Sequence, residues 1–473
     1  MRKLALRDEI LLSIEKPARY IGNEVNAVMK SRDVDIRFAM CFPDVYEIGM
    51  SHLGIQILYD MFNKREDTWC ERVYSPWTDL DAVMRKEHIP LFALESQDPI
   101  KDFDFLGITI QYEMCYTNIL QILDLSGIPM MAVDRTWDDP IVIGGGPCAY
   151  NPEPLADFFD IFYIGEGEVV YDELLELFKK AKKEGWSREE FLHQASHIAG
   201  IYVPSLYKVS YHEDGTIAAF EPVYDDVPKT VEKQIVMDVT NASYPKTPVV
   251  PFIKCTQDRV VLEIQRGCIR GCRFCQAGMI YRPTRERDVE TLKESARIML
   301  KNTGHEEISL SSLSSSDYSQ LKELVNFLIE EFHGKAINIS LPSLRIDAFA
   351  LDVMSKVQDV KKSSLTFAPE AGSQRLRDVI NKGLTEEVIL HGAGEAFKGG
   401  WNQVKLYFML GLPTETEDDM KGIAHLAQKI AETYYEVVPK EQRKGKVQIN
   451  VSTSFFCLLY TSDAADDSLR GDL

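Results

Sequence analysis

Cys268, Cys272 and Cys275 fall within eight residues of the run Arg266-Gly267-Cys268-Ile269-Arg270-Gly271-Cys272-Arg273-Phe274-Cys275, in a chain with only nine cysteines. Thiols spaced C-x3-C-x2-C, with Gly267 and Gly271 to bend the backbone between them, can converge on one inorganic centre. A 4Fe-4S cluster normally takes four cysteine ligands, so three from one loop would leave one iron open. A structural zinc ion with a distant fourth ligand is the competing use of the same thiols, although no second C-x-x-C or C-x-x-H pair stands in the chain. An odd cysteine count makes a disulfide framework the weaker reading. Between Arg266 and Arg287 stand six arginines (266, 270, 273, 282, 285, 287) against one acid, Glu286. Such a patch can offset thiolate charge, hold a carboxylate, receive an anionic substrate, or be an ordinary solvated face.

With the aromatic Phe274 just before the last cysteine, the three cysteines resemble the signature of the radical S-adenosylmethionine (SAM) superfamily. The resemblance implies that Cys268, Cys272 and Cys275 hold a 4Fe-4S cluster whose open iron chelates the amino and carboxylate groups of SAM. One-electron reduction would then cleave SAM to methionine and a 5'-deoxyadenosyl radical. An electron donor such as flavodoxin or ferredoxin is implied with it.

The elements that must carry this loop read as βα units. Val260-Glu263 leads into it, and further strands are expected at 307–310, 336–340, 364–367, 403–408 and 447–451, with helices at 289–300 and 318–332. Six such strands resemble the partial (β/α)6 TIM-like barrel of radical SAM proteins, where chemistry sits at the carboxyl ends of the strands. By that resemblance Glu370, in Phe367-Ala368-Pro369-Glu370-Ala371-Gly372-Ser373, seats the ribose and amino-acid part of SAM. Gly411 and Pro413, in Leu410-Gly411-Leu412-Pro413-Thr414-Glu415-Thr416, form the turn near adenine. Ser311 opens a serine-rich run where relatives carry a G-G-E motif that is missing here.

The first half also alternates short apolar strands with helices. Strands are expected at 35–42, 90–92, 105–109, 130–132, 141–144 and 161–164, which makes a Rossmann-like, doubly wound parallel sheet. Its glycines fall at strand ends, in an arrangement that resembles the cobalamin-binding domain preceding many radical SAM cores. The resemblance assigns Asp44, Gly49, Thr109, Gly144 and Gly145 to cobalamin, and the turn Gly165-Glu166-Gly167-Glu168 fits it. Tyr46 stands where the cobalt-ligating histidine would be, so the resemblance implies a cobalamin without that ligand. His52 is a conceivable substitute, and helix packing is its plainer use. The other reading is a Rossmann-like domain that only covers the core.

At 473 residues the chain is long enough for two or three domains. The expected division is a helical lead-in at 1–33, a cobalamin-binding-type domain at 34–185, a connecting region at 186–256, a radical SAM core at 257–456 and a non-native tail at 457–473. The tail begins where a sixth helix is due, and its change of character at Cys457 reads as a truncated reading frame. A net charge of -20 argues against a surface-wide nucleic-acid footprint, leaving nucleic acid only as a substrate. A start without an apolar signal region, and no apolar run of ~20 residues, give the expectation of a cytoplasmic protein with no membrane segment. The leading expectation is a radical SAM enzyme, with methyl transfer from methylcobalamin if that cofactor binds. One alternative is a methylthiotransferase-like RNA-modifying enzyme, whose N-terminal domain would supply three more cysteines; Cys41, Cys115 and Cys148 lie near predicted strand ends. The other is a non-enzymatic metal-stabilised or electron-transfer protein. Neither the substrate nor any acid or base residue is legible in the sequence.

Overall fold

The computed structural model describes residues 6–340, 365–443 and 445–456. The chain divides into two compact units, Met1–Met237 with Asn241–Asp258, and Asp238–Thr240 with Arg259–Leu473. Among the described residues no helix is long and apolar enough to cross a membrane.

The first unit is built on six strands: β1 (Ile36–Phe42), β2 (Thr68–Tyr74), β3 (Phe105–Thr109), β4 (Ile141–Gly145), β5 (Ile161–Tyr163) and β6 (Ile201–Tyr202). They are ordered β2-β1-β3-β4-β5-β6, all parallel except β6 against β5. Both faces are covered. Phe38, Met40 and Phe42 of β1 pack toward α1 (Leu53–Lys64), while Ala39 and Cys41 pack toward α2 (Thr78–Glu87) and α3 (Tyr116–Ser126). Strands buried on both faces read as continuous apolar runs rather than alternating ones, which is why β1 is so legible. Helix α4 (Tyr171–Glu184) joins the α1 side, and a hairpin of β7 (Tyr207–Tyr211) and β8 (Ile217–Pro222) follows β6.

Three expectations fail here. The strand at 90–92 is absent, Phe92 making only an isolated bridge to Pro99, and 130–132 gives way to a 3-10 turn at Ala132–Asp134. In their place β2, Thr-Trp-Cys-Glu-Arg-Val-Tyr, is a fully buried edge strand paired with β1 that was not expected. Its two charges hid it: Glu71 is buried against Arg37, and Arg72 lies between Glu24 and Glu95, its Nη2 2.8 Å from Glu24 and its Nε 2.6 Å from Glu95. The lead-in is not a long helix either. It has one helical turn at Asp8–Leu11 and a 3-10 turn at Pro17–Arg19, after which Gly22, Asn23 and Asn26 take positive φ and deliver Glu24 to Arg72.

The second unit contains two three-stranded parallel sheets. One is ordered β13-β12-β9, from β9 (Val260–Glu263), β12 (Glu307–Ser311) and β13 (Asn338–Ser340); the other is ordered β14-β15-β16, from β14 (Leu365–Glu370), β15 (Gln403–Leu410) and β16 (Gln448–Phe455). Each expected strand of this half is present to within a few residues; Ser364 and the tail at 457–473 lie outside the described residues. A short antiparallel pair, β10 (Gln265–Arg266) with β11 (Arg285–Glu286), closes the base of the cysteine loop. Helices α5 (Val289–Thr303) and α6 (Leu321–Glu331) serve the first sheet. Leu365, Phe367, Val404, Leu406 and Phe408 of the second sheet pack on α8 (Glu386–Lys398) and α9 (Glu417–Val437), after a short α7 (Gln374–Val379).

Candidate functional site

The cysteine loop leaves β10 at Gly267, whose φ of +80° is unfavourable for any side chain; a Cβ there would stand 2.6 Å from the carbonyl oxygens of Tyr281 and Pro283. Gly267→Ala therefore combines left-handed strain of about 1–3 kcal/mol with a backbone collision. The expected result is a marked loss of iron content after reconstitution with unchanged far-ultraviolet circular dichroism.

All three thiols are half-buried. Cys268 Sγ accepts from the backbone N of Arg270 at 3.4 Å, and Cys275 Sγ from that of Gly278 at 3.3 Å. Burial, first of all, pushes the Cys275 thiol up; Cys272 and Cys268 add to the rise, while the Gly278 amide and the Lys382 ammonium oppose it. Cys275 thus feels both neighbouring sulfurs and Lys382. Among the described residues no three His, Cys, Asp or Glu side chains are gathered to hold a metal ion. What ties these thiols together is their shared loop and their mutual field.

Neighbouring segments clamp that loop. Asn381 Nδ2 donates to the carbonyl of Gly271 at 2.7 Å, and Arg273 donates from its backbone N to Ile380 at 3.0 Å and from Nη1 to the Val379 carbonyl at 2.6 Å. On the other side Arg270 pairs with Asp317, which also accepts from Ser314 Oγ at 2.7 Å. The arginine patch is largely spent on this scaffold. Arg285 is buried and donates to the carbonyls of Pro283 and Tyr281; Arg287, also buried, and Arg266 share Glu263.

Glu370 ends β14 just past a register shift against β15, with φ +69° and only 6% of its surface exposed. A bulge of this kind re-aims a side chain, and a non-glycine residue held left-handed marks local constraint. Its carboxylate accepts from Lys382 Nζ at 2.9 Å. The same ammonium stands 5.7 Å from the ring centre of Phe274, which packs on Ala371, Leu376, Ile380, Met409 and Leu412. Loops after β14 and β15 thus meet the cysteine loop through one apolar cluster. Gly411, at φ +82°, donates its N–H to Glu415 and turns the chain so that Leu412 is buried and Pro413 exposed. Ser311 stays on β12, beside the strand that leads to the cysteine loop: its carbonyl accepts from Ile264 N at 3.0 Å, and it pairs with Glu263 of β9. Lys382 and Asp317 are the residues that sequence reasoning missed; single charges in helical turns carry no spacing signal.

Asp419 joins the loops after β14 and β15. It caps α9 by accepting from Thr416 N at 2.8 Å and Thr416 Oγ1 at 2.7 Å, and it also binds Ser373 and Arg375. The Arg375 contact, foremost, holds its carboxyl well below the usual carboxylate range. A depressed folded pKa means the stabilisation is complete above the ordinary range, about pH 4, and is lost as pH falls through and below it. Asp419→Asn should lower Tm by about 5 °C near neutral pH, with the gap to the parent narrowing only below about pH 4 in thermal melts.

In the first unit the residues expected at cobalamin lie at the carboxyl ends of the neighbouring strands β1, β3 and β4. Asp44 accepts from Tyr112 Oη at 2.6 Å, and Thr109 Oγ1 from Gln111 Nε2 at 2.5 Å. Gly49 and Gly144 give way to the rings of Tyr74 and Phe162, 2.3 and 2.6 Å from where a Cβ would stand, so both serve packing. Gly145 opens onto free space. Tyr46 is buried and donates to Glu24 at 2.9 Å. His52 caps α1, its Nδ1 accepting from Ile55 N at 3.3 Å, and burial holds its pKa down at about 4, so the ring is neutral. Both side chains are committed within the fold rather than to a cobalt ion. Cys41 and Cys115 are buried thiols pushed up by desolvation, Cys115 to about 11 while it donates to Tyr112 O. Both are therefore poor sources of thiolate.

The second unit thus sets three thiols on the loop that follows the first strand of a parallel (β/α) array. Residues 262–427 match the radical SAM superfamily and residues 54–204 the N-terminal region of radical SAM proteins. An uncharacterised protein of Methanocaldococcus jannaschii, MJ0966, is 31% identical over 415 residues, 87% of this chain and 76% of that one. This chain belongs to the radical SAM superfamily. Among solved structures, the cobalamin-dependent SAM radical enzyme OxsB, with aqua-cobalamin and SAM bound, matches with a TM-score of 0.58 at 13% identity, over 93% of this chain and 56% of that one. The radical SAM methyltransferase TsrM of Kitasatospora setae, with cobalamin and a [4Fe-4S] cluster bound, matches with a TM-score of 0.56 at 12% identity, over 89% of this chain and 75% of that one. At such identities these likenesses establish the fold, an α/β chain with a partial TIM-like barrel. The chain spans just over half the length of OxsB.

Proposed function

We propose that this enzyme holds a 4Fe-4S cluster on Cys268, Cys272 and Cys275 and uses it on SAM. The observation that carries the reading is the junction of the cysteine loop, through Phe274 and Lys382, with Glu370 and the Gly411 turn. When bound, the cluster and SAM supply a 5'-deoxyadenosyl radical that abstracts hydrogen from a substrate carbon. The chain's own part is to bind and orient. Three thiolates take the metal, with backbone N–H groups at Arg270 and Gly278 stabilising sulfur charge. Glu370 presents a buried carboxylate, a strong acceptor for ribose hydroxyls or an ammonium. The electron comes from a one-electron donor of the flavodoxin or ferredoxin kind.

Methyl transfer with cobalamin is the natural extension. Two features support it, the strand-end loops at Asp44, Thr109 and Gly145, and the cobalamin present in both solved relatives. With Tyr46 and His52 engaged elsewhere, cobalamin here would bind without a histidine ligand. The test is product analysis. Reconstituted, dithionite-reduced protein incubated with SAM should release 5'-deoxyadenosine, read by mass spectrometry; iron-loaded, reduced protein that leaves SAM intact would overturn the reading.

A further inference from the structure

The segment after α7 makes a turn of unusual backbone geometry, and its side chains reach two parts of the site at once. Asn381 and Gly383, at φ +53° and +63°, flank Lys382, whose own N–H donates to Arg377 O at 2.9 Å. On the cysteine side, Val379, Ile380 and Asn381 together make three hydrogen bonds to Gly271 and Arg273. On the other side Lys382 pairs with Glu370, the two side chains being 13% and 9% exposed. Its ammonium also faces Phe274 and acts electrostatically on Cys275. A nearly buried lysine gives up hydration, so it persists only where a partner and a field compensate it.

We propose that Lys382 is a positioning residue that locks Glu370 to the cysteine loop and sets a positive charge beside its thiolates. The inference rests on the cluster reading above. One-electron reduction adds negative charge to a centre already held by three thiolates, so a fixed cation next to them favours the reduced form. Glu370, already left-handed, depends on the same ammonium to hold its carboxylate toward the loop. Lys382 therefore ties reducibility and SAM seating to one side chain. A lysine that merely fills a turn would influence neither.

The test compares the parent, Lys382→Gln and Lys382→Arg, all reconstituted anaerobically and matched for iron content and circular dichroism. Midpoint potentials come from dithionite titrations read by electron paramagnetic resonance, and SAM dissociation constants from the SAM-induced change in the same signal. Lys382→Gln should cut the equilibrium constant for reduction about tenfold, which is about 59 mV, and weaken SAM binding about tenfold. Lys382→Arg, which keeps the charge, should restore most of the potential. Two results would overturn the inference alone: a parent with a normal cluster signal and a Gln variant with unmoved potential, or an iron-loaded Arg variant as impaired as Gln. A parent that forms no cluster would overturn the cluster reading together with it.

Discussion

Cys268→Ala protein, reconstituted anaerobically, should hold no 4Fe-4S cluster and release no 5'-deoxyadenosine from SAM. The effect is expected to be complete rather than graded, because the loop holds no fourth thiol to replace the lost one. Of the other described cysteines, Cys41, Cys70, Cys115 and Cys255 are buried and Cys148 is half-buried, all in the other compact unit. Three ligands already sit below the usual four, so two cannot retain a cubane. Iron analysis should fall from about four irons per chain to background, and Cys272→Ala and Cys275→Ala should behave alike. The fold should survive, since the half-buried thiols contribute little to the cores on either side of the sheets. Iron analysis and circular dichroism on the same sample separate the two effects; a variant that keeps its iron would show that the loop is not the ligand set.

Removal of the Glu370 carboxylate should have the next largest effect. Glu370→Ala leaves Lys382 nearly buried with no counter-charge, and breaking a buried ion pair from one side costs about 3–5 kcal/mol. Alanine also keeps the left-handed strain at φ +69°. SAM affinity, measured by isothermal titration on iron-loaded protein, should fall by roughly two orders of magnitude, since each 1.4 kcal/mol is tenfold, and Tm should fall with it. Glu370→Gly, which relieves the backbone but not the lost charge, should recover part of the stability and none of the affinity. Equal SAM affinity in Glu370→Ala and parent would remove Glu370 from the SAM seat.

The cysteine loop was the most legible part of the chain, because three thiols and two glycines in ten residues serve few other purposes. Strand positions in the second unit followed from apolar runs set between helices, and so did β1, β3, β4 and β5. β2 stayed hidden because Glu71 and Arg72 look like surface charges until Arg37, Glu24 and Glu95 are seen to meet them in space. Those partners lie from 23 to 48 residues away, beyond any local pattern. The strand expected around Pro90 failed for the opposite reason: Leu91 and Phe92 are apolar and buried, but the chain there turns back through Asp98 and Pro99. In the site, Glu370 was marked by its motif, whereas Lys382 was not. Its contacts with Glu370 and Phe274 come from a turn at Asn381 to Gly383, and no one-dimensional spacing encodes that. The glycines at 49 and 144 carry a similar lesson, since both fit a ligand-binding motif and both are required by the rings packed on them.

The measurement that bears most directly on the central claim is the electron paramagnetic resonance spectrum of the anaerobically reconstituted, reduced protein with and without SAM. The account predicts a reduced 4Fe-4S signal that changes when SAM is added and disappears in Cys268→Ala. Zinc in place of iron, or an iron-sulfur signal indifferent to SAM, would contradict it.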